Sequence, residues 1–114
     1  MEKLKTTLRD FADARKWHPF HTPKNLAMAL SVEVAELAEH FQWLTEEQSR
    51  NLDVTKLEQV GEEVADCLIY LIRLSERLGI DPIAAAERKI AINERRYPID
   101  RVRGDARRAS EYEE

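Results

Sequence analysis

Two acidic steps of the same spacing, Glu33-Val34-Ala35-Glu36 and Glu63-Val64-Ala65-Asp66, interrupt two otherwise apolar runs, Leu26 to Trp43 and Leu57 to Leu78. On a helix, residues three apart share a face, so each step sets two carboxylates beside the stripe that must meet the core. Carboxylates at a packed face cost free energy unless they are paired or hold a cation. A chain with two such steps is therefore constrained in one of two ways. It packs the two helices with the acids converging on a common site, or it leaves both steps in water. Convergence would give four carboxylates, an all-oxygen ligand set suited to Mg²⁺ or Mn²⁺.

At ~100° per residue, Glu33, Glu36, His40 and Trp43 fall within about 80° of arc, flanked by Leu30 and Leu37. Glu63, Asp66 and Tyr70 repeat the arrangement on the later run. Mg²⁺ keeps several coordination positions for water or phosphate oxygens, so such a site can serve phosphoanhydride hydrolysis, which needs charge neutralised at phosphorus and a positioned water. The pattern alone also allows a solvated acidic face, or a non-catalytic helical interaction module whose acidic faces are salt-bridged to a partner. A di-iron bundle would need two Glu-x-x-His steps. None is present: His40 follows Glu36 by four residues and Glu39 by one.

The rest of the chain reads as helical. It has 114 residues with only 3 Gly and 4 Pro, enough for one domain and too few turn formers for a β-rich fold. The spacing predicts a first helix from about Glu2 to Lys16, and a Trp17-to-His21 loop broken by Pro19. A second helix, capped by Thr22 with Pro23 at its first position, should reach Trp43 or Leu44. Thr45-to-Gln48 has capping-box form and opens a short extra turn. Thr55-to-Glu58 repeats that form and opens a third long helix ending at Gly79. Asp81-Pro82 starts a fourth, which ends near Tyr97-Pro98. The expected fold is all-α, four main helices in a bundle, with residues 1–104 as the domain and 105–114 as a charged tail. A net charge of −4 argues against binding a nucleic-acid polymer. No run approaches a membrane span and no signal segment opens the chain, so the expected location is cytoplasmic.

Other candidates carry weaker signals. Trp17 and Trp43 suit either stacking on a flat base or ordinary packing. Lys89 and Asn93, four apart on the fourth helix, suit phosphate or sugar oxygens, as do Arg96 and Tyr97, or else a solvated face. His18, His21 and His40 lack metal or triad spacing and read as structural. Cys67, the one cysteine, lies in an apolar run and reads as an inert buried thiol.

Ordered blocks then tighten the reading: Phe20-His21-Thr22-Pro23-Lys24-Asn25-Leu26, the two acidic steps, Glu39-His40-Phe41-Gln42-Trp43, Asp66-to-Leu71 and Lys89-to-Pro98. Together they resemble the MazG-like nucleotide pyrophosphohydrolases of the all-α NTP pyrophosphatase superfamily, in the short branch that includes dCTP pyrophosphatases. The resemblance covers about Leu4 to Gly104. It implies Mg²⁺-dependent hydrolysis of a nucleoside triphosphate to monophosphate and pyrophosphate, with Mn²⁺ as a substitute ion. Glu33, Glu36, Glu63 and Asp66 would form the metal and catalytic set. Trp17 and Trp43 would sandwich the base, with Tyr70, Lys89 and Asn93 near the phosphates and sugar. It also implies a homodimer or a dimer of dimers, with sites completed by neighbouring subunits. One departure bears on substrate choice. The animal dCTP branch is expected to carry a base-reading His in the first helix, and Leu8 stands at the matching position. A broader base range, or a different base reader, follows as an open expectation.

Overall fold

The computed structural model describes residues 1–99. The expected domain end at 104 and the tail 105–114 lie outside the described residues. Five α-helices and one 3₁₀ turn occur, and no strand is found among the described residues. The helices are α1 (Glu2–Ala14), α2 (Pro23–Glu39), α3 (Glu46–Arg50), α4 (Val54–Arg77) and α5 (Pro82–Arg96). None is long and apolar enough to cross a membrane.

Met1–Ile80 forms one compact unit. Its centre is the packing of α2 on α4, with α1 laid against α4. Ala12, Leu26 and Ile72, one from each helix, are its fully buried apolar side chains. The turns that join these helices follow from local chemistry. Helix α1 ends with Lys16 in the left-handed region at φ 55°. Trp17 N–H then donates to Ala12 O at 3.0 Å and Lys16 N–H to Asp13 O at 3.0 Å, closing the orphan carbonyls and turning the chain sharply. That turn sets Trp17 edge-on to Phe11, with ring centroids 5.7 Å apart. The 3₁₀ turn His18–Phe20 follows, and Thr22 Oγ1 caps α2 by accepting from Asn25 N–H.

The expected helix limits needed three corrections. Helix α1 stops at Ala14 rather than Lys16 because of the left-handed turn. Helix α2 ends at Glu39, and residues 40–43 continue as turns with 5→1 and 4→1 bonds rather than as helix. Helix α4 opens at Asp53, not Thr55: Asp53 Oδ1 accepts from Lys56 N–H at 2.8 Å, so the earlier cap takes the helix start and Thr55 lies inside it. The Thr45 capping box forms as expected, with both reciprocal bonds to Gln48 present. Gly79 closes α4 at φ 68°, its N–H bonded to Glu76 O and that of Ile80 to Ser75 O.

A second unit begins at Asp81. Asp81 Oδ1 accepts from the N–H groups of Ile83 and Ala84, and Pro82 occupies the first turn of α5.

Candidate active site

Packing α2 on α4 brings the two acidic steps together. Carboxylate oxygens of Glu33, Glu36 and Glu63 all lie within 4.8 Å of one another. Asp66 stands outside that trio, but its charge reaches Glu33 and Glu63. All four residues are partly buried rather than fully solvated. Glu33 Oε2 and Glu63 Oε2 are buried with no hydrogen-bond partner. Burial is the main cause that pushes the Glu33 carboxyl up to about 7, followed by its hydrogen bond to Glu36 and the charges of Glu36, Asp66 and Glu63. Glu63 is raised the same way, by burial first and then by Glu36 and Asp66. Among the described residues, the ion pairs are Arg9–Glu76, Arg50–Glu47 and Arg73–Glu76, so none neutralises the cluster.

Crowded carboxylates with orphaned oxygens, unpaired with any cation among the described residues, are held against their own repulsion. A hard divalent cation would remove that repulsion and supply the missing partners. The donor set, oxygen only and partly buried, fits Mg²⁺ or Mn²⁺ and fits soft metals poorly. Cys67 sits half-buried beside this cluster; burial and then the charges of Glu33, Glu63 and Asp66 push its thiol up, which keeps it protonated and inert.

Farther along α4, in the same unit, a cavity of about 210 Å³ opens between α1, the Trp17–His21 segment and α4. Its walls include Leu8, Phe11, Trp17, His21, Tyr70 and Arg73. Glu63, Asp66, Tyr70, Arg73 and Arg77 lie within about 80° of arc on α4 at ~100° per residue. One stripe therefore runs from the carboxylates to the cavity and on to the loop.

Two arginines of that stripe hold the loop in place. Arg77 Nε donates to His21 O at 3.0 Å, and its Nη1 reaches His18 Nε2 at 2.8 Å. Arg73 Nη2 reaches His21 Nδ1 at 3.4 Å, and its Nη1 donates to Glu76 Oε2 at 3.0 Å. Glu76 in turn pairs with Arg9 of α1. Burial, then the charges of Arg73, Arg77 and His18, hold the His21 imidazole below its ordinary value.

The residues expected at the site thus fall into three groups. Glu33, Glu36 and Glu63 converge, with Asp66 in electrostatic reach. Trp17 and Tyr70 share the cavity. Trp43 is 85% exposed beyond the end of α2 and does not line it. Lys89 and Asn93 are exposed on α5, in the second unit. Sequence reasoning missed Arg73 and Arg77 and read His21 only as structural. The available signal was the continuation of the Glu63–Asp66–Tyr70 stripe at helical spacing.

Comparison with known proteins places the chain in a family and a fold. The family model described as MazG-like matches residues 28–111. The dCTP pyrophosphatase 1 of Homo sapiens is 39% identical over 113 residues, covering 97% of this chain and 66% of its own length. That of Bos taurus is 40% identical over 108 residues, covering 93% of this chain and 64% of its own length. The chain spans about two thirds of the length of these relatives. Among solved structures, a pyrophosphatase from Archaeoglobus fulgidus DSM 4304 matches with a TM-score of 0.76 and 48% identity, covering 86% of this chain and 92% of that one.

Proposed function

The chain belongs to the MazG-like family, and from that premise we propose that it is a Mg²⁺-dependent nucleotide pyrophosphohydrolase acting on cytoplasmic dNTPs, with dCTP or a modified dCTP favoured. Water adds to the α-phosphorus, the bond from that phosphorus to the bridging oxygen breaks, and a nucleoside monophosphate and pyrophosphate leave. The observation that carries this reading is the trio Glu33, Glu36 and Glu63, with two buried oxygens lacking partners, on a helix pair of which α4 also walls an aromatic cavity. The relatives named for dCTP support the choice of substrate.

In this reading Glu33, Glu36, Glu63 and Asp66 hold the metal. When bound, the ion neutralises phosphate charge and lowers the pKa of a water. The chain's own residues do the rest. Glu33 and Glu63 hold protons more tightly than ordinary carboxyls and must release them to take the ion, so ion binding is linked to proton release at these two residues. Trp17 and Tyr70 wall the base cavity, where an aromatic face accepts a base by stacking. Lys89 and Asn93 are assigned to phosphate and sugar oxygens, and Trp43 to a base clamp completed in a homodimer or homotetramer.

The test is turnover of a dNTP and NTP panel with Mg²⁺, with pyrophosphate resolved from orthophosphate. Pyrophosphate and a monophosphate are expected, and Glu63→Gln should lower kcat by at least ~10²-fold while leaving the helical spectrum intact. Orthophosphate as the product, or a folded Glu63→Gln with near wild-type turnover, would overturn the assignment.

A further inference from the structure

A tryptophan stacks well on a base only if its ring is held still, and the run from Trp17 to His21 is gripped from three helices. Trp17 N–H donates to Ala12 O of α1 at 3.0 Å. Asn25 of α2 donates through Nδ2 to Phe20 O at 3.1 Å. The third grip comes from Arg77, the last residue of α4. Its Nε donates to His21 O at 3.0 Å, and its Nη1 lies 2.8 Å from His18 Nε2. One guanidinium thus holds the run at two points, a backbone carbonyl and a side chain.

The bond to His21 leads on to Trp17. His21 N–H donates to Trp17 O at 3.1 Å, so His21 is bonded to Arg77 through its carbonyl and to Trp17 through its amide. The two ring centroids are 5.8 Å apart, and both residues line the aromatic cavity. Trp17 is 41% exposed, so packing alone holds it loosely. Arg73 adds a longer contact to the His21 ring, at 3.4 Å, but is itself tied to Glu76. Arg77 is also too distant to act at the carboxylates. It lies about 16 Å along α4 from Asp66 at ~1.5 Å per residue, and its guanidinium is bonded to the loop. A cation at the end of a helix is ordinary, and favourable interaction with the helix dipole needs only its charge. A planar fork that meets a carbonyl and an imidazole together needs arginine.

Resting on the pyrophosphohydrolase reading, we propose that Arg77 is a positioning residue for the base site: its two-point grip on His18 and His21 fixes Trp17 as the stacking wall of the cavity. It acts through Trp17 and not on the nucleotide. A wall held before the nucleotide arrives spares the cost of ordering it on binding. The grip therefore shows in affinity rather than in the chemical step.

Arg77→Lys separates the grip from the charge. Lysine keeps a cation at the end of α4, but its single nitrogen does not span His21 O and His18 as a guanidinium does. In a Trp43→Phe background Trp17 is the one remaining indole, and its quenching by acrylamide is read without ligand. Arg77→Lys should raise the quenching constant by at least about 1.5-fold with the helical spectrum unchanged. An unchanged constant in the folded variant overturns the proposal, since α1 and α2 would then hold the wall without Arg77. If Arg77→Lys does not fold, His18→Ala decides in its place. It removes one of the two points at an exposed residue, and an unchanged constant there overturns the grip just as a raised one supports it.

Binding shows what the wall serves. With dCMP and Mg²⁺ in a calorimeter, Arg77→Lys should weaken binding about 10-fold when Trp17 is present and by less than about 3-fold in a Trp17→Ala background. Equal loss in both backgrounds overturns the proposal, because Arg77 would then act apart from Trp17. Turnover is scored apart. Loss of dCMP binding that depends on Trp17, without pyrophosphate release from dCTP, keeps the positioning role and removes the hydrolase reading; pyrophosphate release with a loss independent of Trp17 does the reverse.

Discussion

Glu33 carries the clearest consequence at the scale of single residues. Its carboxyl is held at about 7 in the folded chain against an ordinary 4.5, with burial the leading cause. The folded state therefore binds this proton more tightly than the unfolded state does. Its contribution to stability is full below pH ~4.5 and is lost as pH rises through about 7, because the native slope follows the difference in bound protons. Glu63 acts in the same direction. Metal-free protein should melt a few degrees lower at pH 8 than at pH 5 from this cluster, and Mg²⁺ should restore more at pH 8, where it displaces fewer protons. Melting curves in chelator and in Mg²⁺ at both pH values check this. Glu33→Gln should flatten the pH dependence and shrink the Mg²⁺ shift. A cluster merely solvated would show neither effect. The acidic steps were legible in the sequence because an i,i+3 spacing survives any packing of the helix. Arg73 was not legible in the same way. Its role depends on His21, 52 positions away in the chain, and on a loop whose path is set by the left-handed turn at Lys16.

At the scale of elements, caps decide where each helix starts and stops. Thr22, Thr45, Asp81 and Gly79 are all used as their residue types suggest. Thr55 is the instructive exception. Its capping-box pattern is sound, but Asp53 two residues earlier caps equally well and gains the helix another half turn, so the pattern ends up inside α4. A local motif shows that a cap is possible; competition with its neighbours decides which one forms. Gly79 gives a direct test. Its φ of 68° suits glycine, and a Cβ there would meet nothing within 4 Å. Gly79→Ala should therefore be destabilising through backbone strain alone, by about 1 kcal/mol. Denaturant titration should show a lower midpoint, an unchanged m-value and an unchanged helical spectrum. A midpoint equal to wild type would mean that the turn relaxes without cost.

At the scale of the whole molecule, the single chain leaves long apolar stripes exposed among its described residues. Leu57, Val64, Leu68 and Leu71 recur at helical spacing on one side of α4 and are between 42% and 58% exposed. On ~100° steps this stripe lies away from Glu63 and Asp66. On α2, Met28 and Val32, one turn apart, are also more than half exposed. Apolar stripes of this length mark helix-packing faces rather than solvent faces. We expect a dimer or tetramer by sedimentation, shifted to smaller and less stable species by the pair Val64→Glu and Leu68→Glu; a wild-type monomer at micromolar concentration would refute this. Trp43 would give such an assembly a functional meaning, because it is exposed and absent from the cavity that holds Trp17 on the same chain. If a neighbour's Trp43 closes that cavity, each base site draws one tryptophan from each subunit. Trp17→Ala and Trp43→Ala should then each raise KM with kcat little changed, as loss of stacking requires. Mixing and exchanging subunits should regenerate intact sites: in a dimer, random exchange makes half the molecules mixed, each with one intact and one doubly depleted site, so about a quarter of all sites regain wild-type affinity. A site built within one chain would regain none, and the size of the recovered fraction separates the two arrangements.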